Sequence, residues 1–373
     1  MNRNQICSKM TTKFIYYTFL FLLCYICTKA QVLKPGFDAS EYEKVLQRCS
    51  SQSGNPLITD DNKQPEFKRK FRSKEAGLHN RWDLWVNNTN SIIAIDIRGT
   101  VNEPDSWLEN FYSPMIPAIG IMQIDSDYSF NYKLAADPKA MVHAGWVLGL
   151  GSMAREITEK IRNYYGQGVK QIIVEGHSQG GAIAFLLSSY LHYQIADGRL
   201  PADLVIKTYC SAAPKPGNLY YAYDYDYINR GGWAFTVVNA ADWVPETPFT
   251  MQTLPDINRV NPFLHTNDVL KKQPLFVRLY LNHIYRRLTH TSFKAQRKYE
   301  KYLGYMAAKR VRKYLPFFDP PPYTHSGNYM RAGNAIVLQP DDEYYKLFPQ
   351  NSNNIFVNHL FQPYYYLLKK EYR

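Results

Sequence analysis

Gln171-Ile172-Ile173-Val174-Glu175-Gly176-His177-Ser178-Gln179-Gly180-Gly181-Ala182-Ile183-Ala184-Phe185-Leu186-Leu187 places a short apolar run, a serine between glycines and a second apolar run in direct succession. The first run has the length of a buried strand, and the second, continuing to about Ala196, has the length of a helix. Gly176 and Gly180 fit a G-x-S-x-G turn, in which the serine occupies a strained bend and side chains on either flank would clash. The helix that follows aims its first N–H groups at the place where an oxyanion would develop. A bare match to the pattern is common; the strand before it and the helix after it give it weight. Ser178 is the expected nucleophile.

The same alternation extends in both directions. Leu204–Tyr209 and Ala234–Val238 are further buried-strand candidates, and Met153–Ile161 reads as a helix ending near Gly166 and Gly168. Continuous apolar strands alternating with helices imply a mainly parallel sheet covered on both faces, the α/β class. Toward the N-terminus, Trp82–Val86 and Ser91–Ile97 flank an Asn-rich turn and read as a hairpin. Asp38 or Ser40 can cap an amphipathic helix carrying Tyr42, Val45 and Leu46. The stretch Lys68–Lys74 reads as a loop, and residues 101–140 read as a long irregular segment, either disordered or a lid.

A serine hydroxyl needs a base, and that base needs an orienting acid. In strand–serine–helix hydrolases the chain order is Ser, then Asp or Glu, then His. Asp242, just after the Ala234–Val238 run, is placed as the acid, although a turn-forming Asp would look the same. His265, His283, His290, His325 and His359 stand in the late chain. His283 and His290 fall in a basic helical region, where a surface role is expected. His325, in Pro322-Tyr323-Thr324-His325-Ser326-Gly327, lies in a loop that could reach across to another loop.

The 373 residues suffice for one large α/β domain with insertions. Arg3, Lys9 and Lys13 precede an apolar run, Phe14–Cys27, and Thr28-Lys29-Ala30 then supplies a cleavage-like site. That run is short of the ~20 residues a membrane span needs, so residues 1–30 are expected to be a signal peptide and 31–373 the mature domain, secreted or periplasmic. Cys49 and Cys210 remain, either as a disulfide or as two buried thiols. Between Lys271 and Lys313 thirteen Lys and Arg face one acid, Glu300, a net +12. The rest of the mature chain nets −4. Residues 255–320 are therefore set apart as a basic helical insertion.

Several further motifs, in order, resemble the class 3 lipase family, which includes the fungal triacylglycerol lipases. Ile95-Asp96-Ile97-Arg98-Gly99-Thr100 resembles its strand ending in R-G-T, and Asp105-Ser106-Trp107-Leu108 the start of its lid region. Val142-His143-Ala144-Gly145-Trp146 resembles its V-H-x-G-F element, and Ala213-Pro214-Lys215-Pro216-Gly217-Asn218 its P-R-x-G-N turn. Asp242-Trp243-Val244-Pro245 matches D-x-V-P, Tyr323–Gly327 matches Y-x-H-x-G, and His359 with Tyr364 resembles the terminal helix that often follows. The resemblance covers roughly Trp82–Pro248 and Tyr323 onward. It implies an α/β-hydrolase fold, a triad of Ser178, Asp242 and His325, and an oxyanion hole of Thr100 and the backbone N–H of Gln179. Lys215 in place of Arg, Cys210-Ser211 where Gly is common, and the 255–320 insertion depart from the pattern.

The expected chemistry is hydrolysis of carboxylic esters, lipid esters in particular, through an acyl-enzyme, with no cofactor and no metal called for. Two other readings compete: an esterase on small soluble esters, and a binding protein for lipid or another anionic surface with weak or no catalysis. Secretion argues against nucleic acid as the partner of the basic stretch, and attraction to an anionic membrane through residues 271–313 is compatible with a lipase.

Overall fold

In the computed structural model the described residues are 33–372, apart from 55, 58–65, 259, 262–269 and 351–353. The segment read as a signal peptide and His265 lie outside them. The elements that follow all belong to the unit Pro35–Arg373.

Seven strands form the central sheet: β1 (Phe67–Arg72), β2 (Trp82–Asn87), β3 (Ile92–Ile97), β4 (Gln171–His177), β5 (Val205–Ser211), β6 (Ala234–Asn239) and β7 (Asn334–Leu338). They lie side by side in chain order. β1, β2 and β3 pair antiparallel; β3 through β7 are all parallel. The parallel core is the expected α/β-hydrolase arrangement. β3, β4 and β6 are buried almost end to end, as a sheet covered on both faces requires.

Helix α1 (Ala39–Ser50) is capped by Asp38, whose carboxylate accepts from the Glu41 N–H. Helix α2 spans Pro104–Phe111, α3 Ala144–Gly166, α4 Gln179–Ala196 and α5 Leu219–Ile228. Helix α6 (Leu275–Tyr299) runs through a π-helical segment, Glu300–Met306, into α7 (Ala307–Tyr314); α8 (Asp342–Leu347) and α9 (Phe361–Glu371) close the chain. Helices α3 and α4 pack together, with α4 against β4 and β5, while α1 and α9 pack together against the sheet, α1 on β4 and α9 on β6 and β7. Buried side chains from the sheet, α3 and α4 form a continuous core, including Trp82, Trp146, Ile183 and Leu187.

Two expectations are corrected. Lys68–Lys74 is not a loop: Phe67–Arg72 is an edge strand whose exposure alternates, with Phe67 buried and Lys68, Lys70 and Arg72 outward. Lys and Arg on an edge strand keep it from pairing with another chain. Residues 101–140 are not irregular: they hold α2 and a hairpin, Ile119–Asp125 with Tyr128–Lys133. Its inward side chains Met122, Ile124, Phe130 and Tyr132 follow the period of two. Cys49 and Cys210 are both buried free thiols.

Candidate active site

Ser178 stands between β4 and α4 with φ 60° and ψ −129°, a conformation that only a tight bend imposes on a non-glycine residue. The bend is possible because its flanks lack side chains. A Cβ on Gly176 would sit 2.3 Å from the Gly180 carbonyl carbon, and one on Gly180 would sit 2.1 Å from the Ile97 carbonyl oxygen. The Gln179 N–H, first in α4, has no acceptor within its own helix and faces the same end of the sheet as the serine.

Asp242 follows β6 by three residues and is fully buried at its carboxylate. Oδ1 accepts from the Val244 N–H at 3.0 Å. Oδ2 accepts from the Tyr364 hydroxyl at 2.8 Å and from His359 Nδ1 at 2.7 Å. His359 closes the one-turn helix Val357–His359, just ahead of α9. Its carbonyl accepts from His177 Nε2 at 2.8 Å, so the turn is pinned to the residue beside Ser178. Ser178, His359, Thr100 and Gln179 all line one cavity of about 870 Å³.

The histidine expected to complete this constellation was His325, and the structure places it elsewhere. His325 Nδ1 meets the Glu300 carboxylate at 2.8 Å, its side chain is 81% exposed, and it does not line the cavity. Its loop is fastened to other elements. Thr324 N–H donates to the Met115 carbonyl at 2.8 Å, Tyr323 meets the Tyr112 hydroxyl, and Ser326 donates to Asp256. His359 reaches Asp242 instead because α9 packs along β6 and β7, which delivers the preceding turn to the end of β6. The sequence signal was Tyr364, five residues beyond His359, whose hydroxyl shares the same carboxylate oxygen.

Thr100 and Gln179 do come together, through their side chains. The Thr100 hydroxyl donates to Gln179 Oε1 at 2.7 Å and accepts from Asn110 Nδ2 at 2.9 Å. Gln179 Nε2 in turn donates to Glu109 at 2.7 Å, and Asn80 donates to the other Glu109 oxygen. Burial pushes the Glu109 carboxyl up to about 8. His143 caps α3 and stacks on Trp146 at 3.6 Å; burial holds its imidazole neutral, with its pKa lowered to about 3. His177 is likewise lowered to about 3 by burial and by neighbouring His359. A carbonyl can only accept, so His177 carries its proton on Nε2. Nδ1 therefore accepts from Ser211 Oγ at 3.0 Å, and Ser211 accepts from the Tyr42 hydroxyl at 2.6 Å.

The cavity walls are largely apolar: Trp107, Trp146, Val244, Leu303 and Phe356 among them. Phe111, Trp243 and Phe249 line it and are 57%, 41% and 79% exposed. A mouth rimmed by exposed aromatics suits an apolar substrate arriving from an interface. Among the described residues one acidic group, Cys49, Asp96 and Glu175, brings three potential metal ligands within 4.8 Å of one another. Arg48 already supplies a cation there, donating twice to Glu175 at 2.6 Å, and burial raises Asp96 to about 8.

Residues 94–252 match the family model for lipase (class 3). The chain is 31% identical to the secreted mono- and diacylglycerol lipase LIP4 of Malassezia restricta over 103 residues, 27% of this chain and 32% of that protein. It is 27% identical to the secreted mono- and diacylglycerol lipase MDL2 of Malassezia globosa over 128 residues, 34% of this chain and 38% of that protein. The chain thus spans about a third of the length of the curated relatives it matches. Among solved structures, the Lip2 lipase from Yarrowia lipolytica aligns with 58% of this chain and 77% of its own, at 18% identity and a TM-score of 0.43. The family-model match takes in the end of β3 with Arg98-Gly99-Thr100, the Ser178 bend and the Asp242 turn. Residues 94–252 are thus similar to the class 3 lipase family.

Proposed function

We propose that the protein is a secreted serine hydrolase of lipid esters, acting on acylglycerols or phospholipids through Ser178, His359 and Asp242. The observation that carries this reading is that His359, paired with Asp242, lines the same apolar cavity as the strained Ser178. His359 Nδ1–H is held by Asp242, which leaves Nε2 to take the Ser178 proton as the hydroxyl attacks the ester carbonyl. The tetrahedral oxyanion is stabilised by the Gln179 N–H and by Thr100, whose hydroxyl proton turns from Gln179 Oε1 toward the developing charge. His359 then protonates the leaving alcohol. Water, deprotonated by the same imidazole, releases the acid from the acyl-enzyme. His325 has no step in this scheme.

The apolar lining and the exposed aromatic rim favour lipid over small soluble esters. The family match and the secreted lipases among the relatives support the same substrate class and an exported protein. The basic excess of residues 271–313 gives the enzyme affinity for anionic membrane surfaces rather than nucleic acid. The test is to label the purified protein with an active-site phosphonate and map the modified residue, then compare turnover of emulsified long-chain and soluble short-chain esters. Phosphonate on Ser178, no turnover by Ser178→Ala, and preference for the emulsion are the expected results. A Ser178→Ala protein with full esterase activity would end the proposal.

A further inference from the structure

The first five turns of α6 stand clear of the core. Between Leu275 and Ala295 no described residue is buried; Gln296 is the first, and Glu300, Gly304, Ala307 and Val311 then seat the rest of the rod. Yet this free portion is strongly apolar. Leu275, Phe276, Val277, Leu279 and Tyr280 are between 43% and 84% exposed, and Ile284 is 37% exposed. A helix of this composition gains stability when its apolar side chains leave water.

Charge decides between the possible occupants. From Lys271 to Lys313 the single acid is Glu300, and it is buried against His325. A second copy would therefore bring a strongly positive helix against another. Among the described residues Arg278, Arg286 and Arg287 form no ion pair, and they alternate with the apolar side chains along the same turns. An anionic bilayer answers both features at once. Its acyl boundary takes the apolar side chains, and its phosphates take the guanidinium groups.

We propose that residues 275–287 are an anchor that inserts into anionic phospholipid bilayers, rather than a charged face that merely adsorbs to them. The proposal deepens the lipid-ester reading above and rests on it for its purpose, not for the binding itself. Tyr299 and Leu303, farther along the same rod, line the cavity. At 1.5 Å per residue, the anchor at Leu279 lies about 30 Å along the axis from Tyr299, so insertion would tether the cavity at that range from the bilayer.

The experiment uses the full chain carrying Ser178→Ala, sedimented with phosphatidylcholine vesicles with and without phosphatidylserine, at low and high salt. Strong partition onto the anionic vesicles is expected. Phe276→Ser and Leu279→Ser should each weaken it about tenfold or more at both salt concentrations, since each removes apolar area from the acyl layer. Arg286→Gln with Arg287→Gln should weaken it chiefly at low salt. Absence of partition overturns the proposal, as do apolar substitutions that leave partition unchanged. So does a concentration-dependent dimer, abolished by Phe276→Ser, in protein that ignores vesicles. With Ser178 intact, the same anchor variants should hydrolyse a soluble short-chain ester at the unaltered rate. That readout keeps a failed anchor distinct from a failed catalytic assignment.

Discussion

Replacing Asp242 by Asn tests how the base is oriented. In the native site one carboxylate oxygen accepts from the Val244 N–H and the other accepts from both His359 Nδ1 and Tyr364. An amide that keeps its oxygen toward Val244 must turn its NH₂ toward His359. The imidazole then presents an unprotonated Nδ1 to that NH₂ and moves its proton to Nε2, where nothing remains to accept the Ser178 proton. Fixing the wrong tautomer is worth ~10⁴ in kcat, about 5 kcal/mol of barrier. Turning the amide the other way does not help, because the NH₂ would then face the Val244 N–H, donor against donor. Tyr364→Phe is the control: the carboxylate stays and only one donor to it is lost, so the effect should be about tenfold or less. The assay is steady-state hydrolysis of a soluble short-chain ester, with thermal melts establishing that both variants are folded. A folded Asp242→Asn protein within tenfold of wild type would mean that Asp242 does not set the tautomer of His359.

His177→Phe removes the donor to the His359 carbonyl while leaving an aromatic ring in place; kcat should fall about tenfold with KM unchanged, and His177→Gln should restore part of it. Stability should peak in mildly acidic solution. His143 and His177 are held neutral in the fold with pKa values near 3, so the unfolded chain binds the extra protons between about 3 and 6.5, and stability rises with pH there. Glu109 and Asp96 have folded pKa values near 8, far above their unfolded ones, so the native state holds the extra protons and stability falls as pH rises toward 8. The two trends oppose each other up to about pH 6.5, and above it only the fall remains. Thermal melts from pH 3 to 9 should show that dome, and Glu109→Gln should flatten its alkaline limb; a melting temperature rising from pH 6.5 to 8 would contradict it.

Much of the fold could be read in the sequence, because the parallel strands are continuous apolar runs and the serine bend needs glycine on both sides. The strand at Phe67–Arg72 was harder: its outward positions are all basic, so composition suggested a loop, and only the alternation of Phe67 and Phe71 marked a strand. The hairpin within 101–140 was hidden in the same way, its inward Met122, Ile124, Phe130 and Tyr132 spaced by polar residues. At the site, the placement of Ser178 and Asp242 was legible because each lies within three residues of the end of its strand. The histidine beside Asp242 was not. Local sequence favours His325, in a loop beside glycine, over His359 by the terminal helix, and the difference lies in what each segment is tied to. His325 is held near Met115 and Glu300, while α9 delivers His359 to the end of β6.

The most direct test of the catalytic assignment is a paired measurement of kcat/KM for His359→Ala and His325→Ala on one soluble ester. The structure predicts a loss of at least ~10³ for His359→Ala and a value within about threefold of wild type for His325→Ala. The reverse pattern, with His325 essential and His359 dispensable, would contradict it.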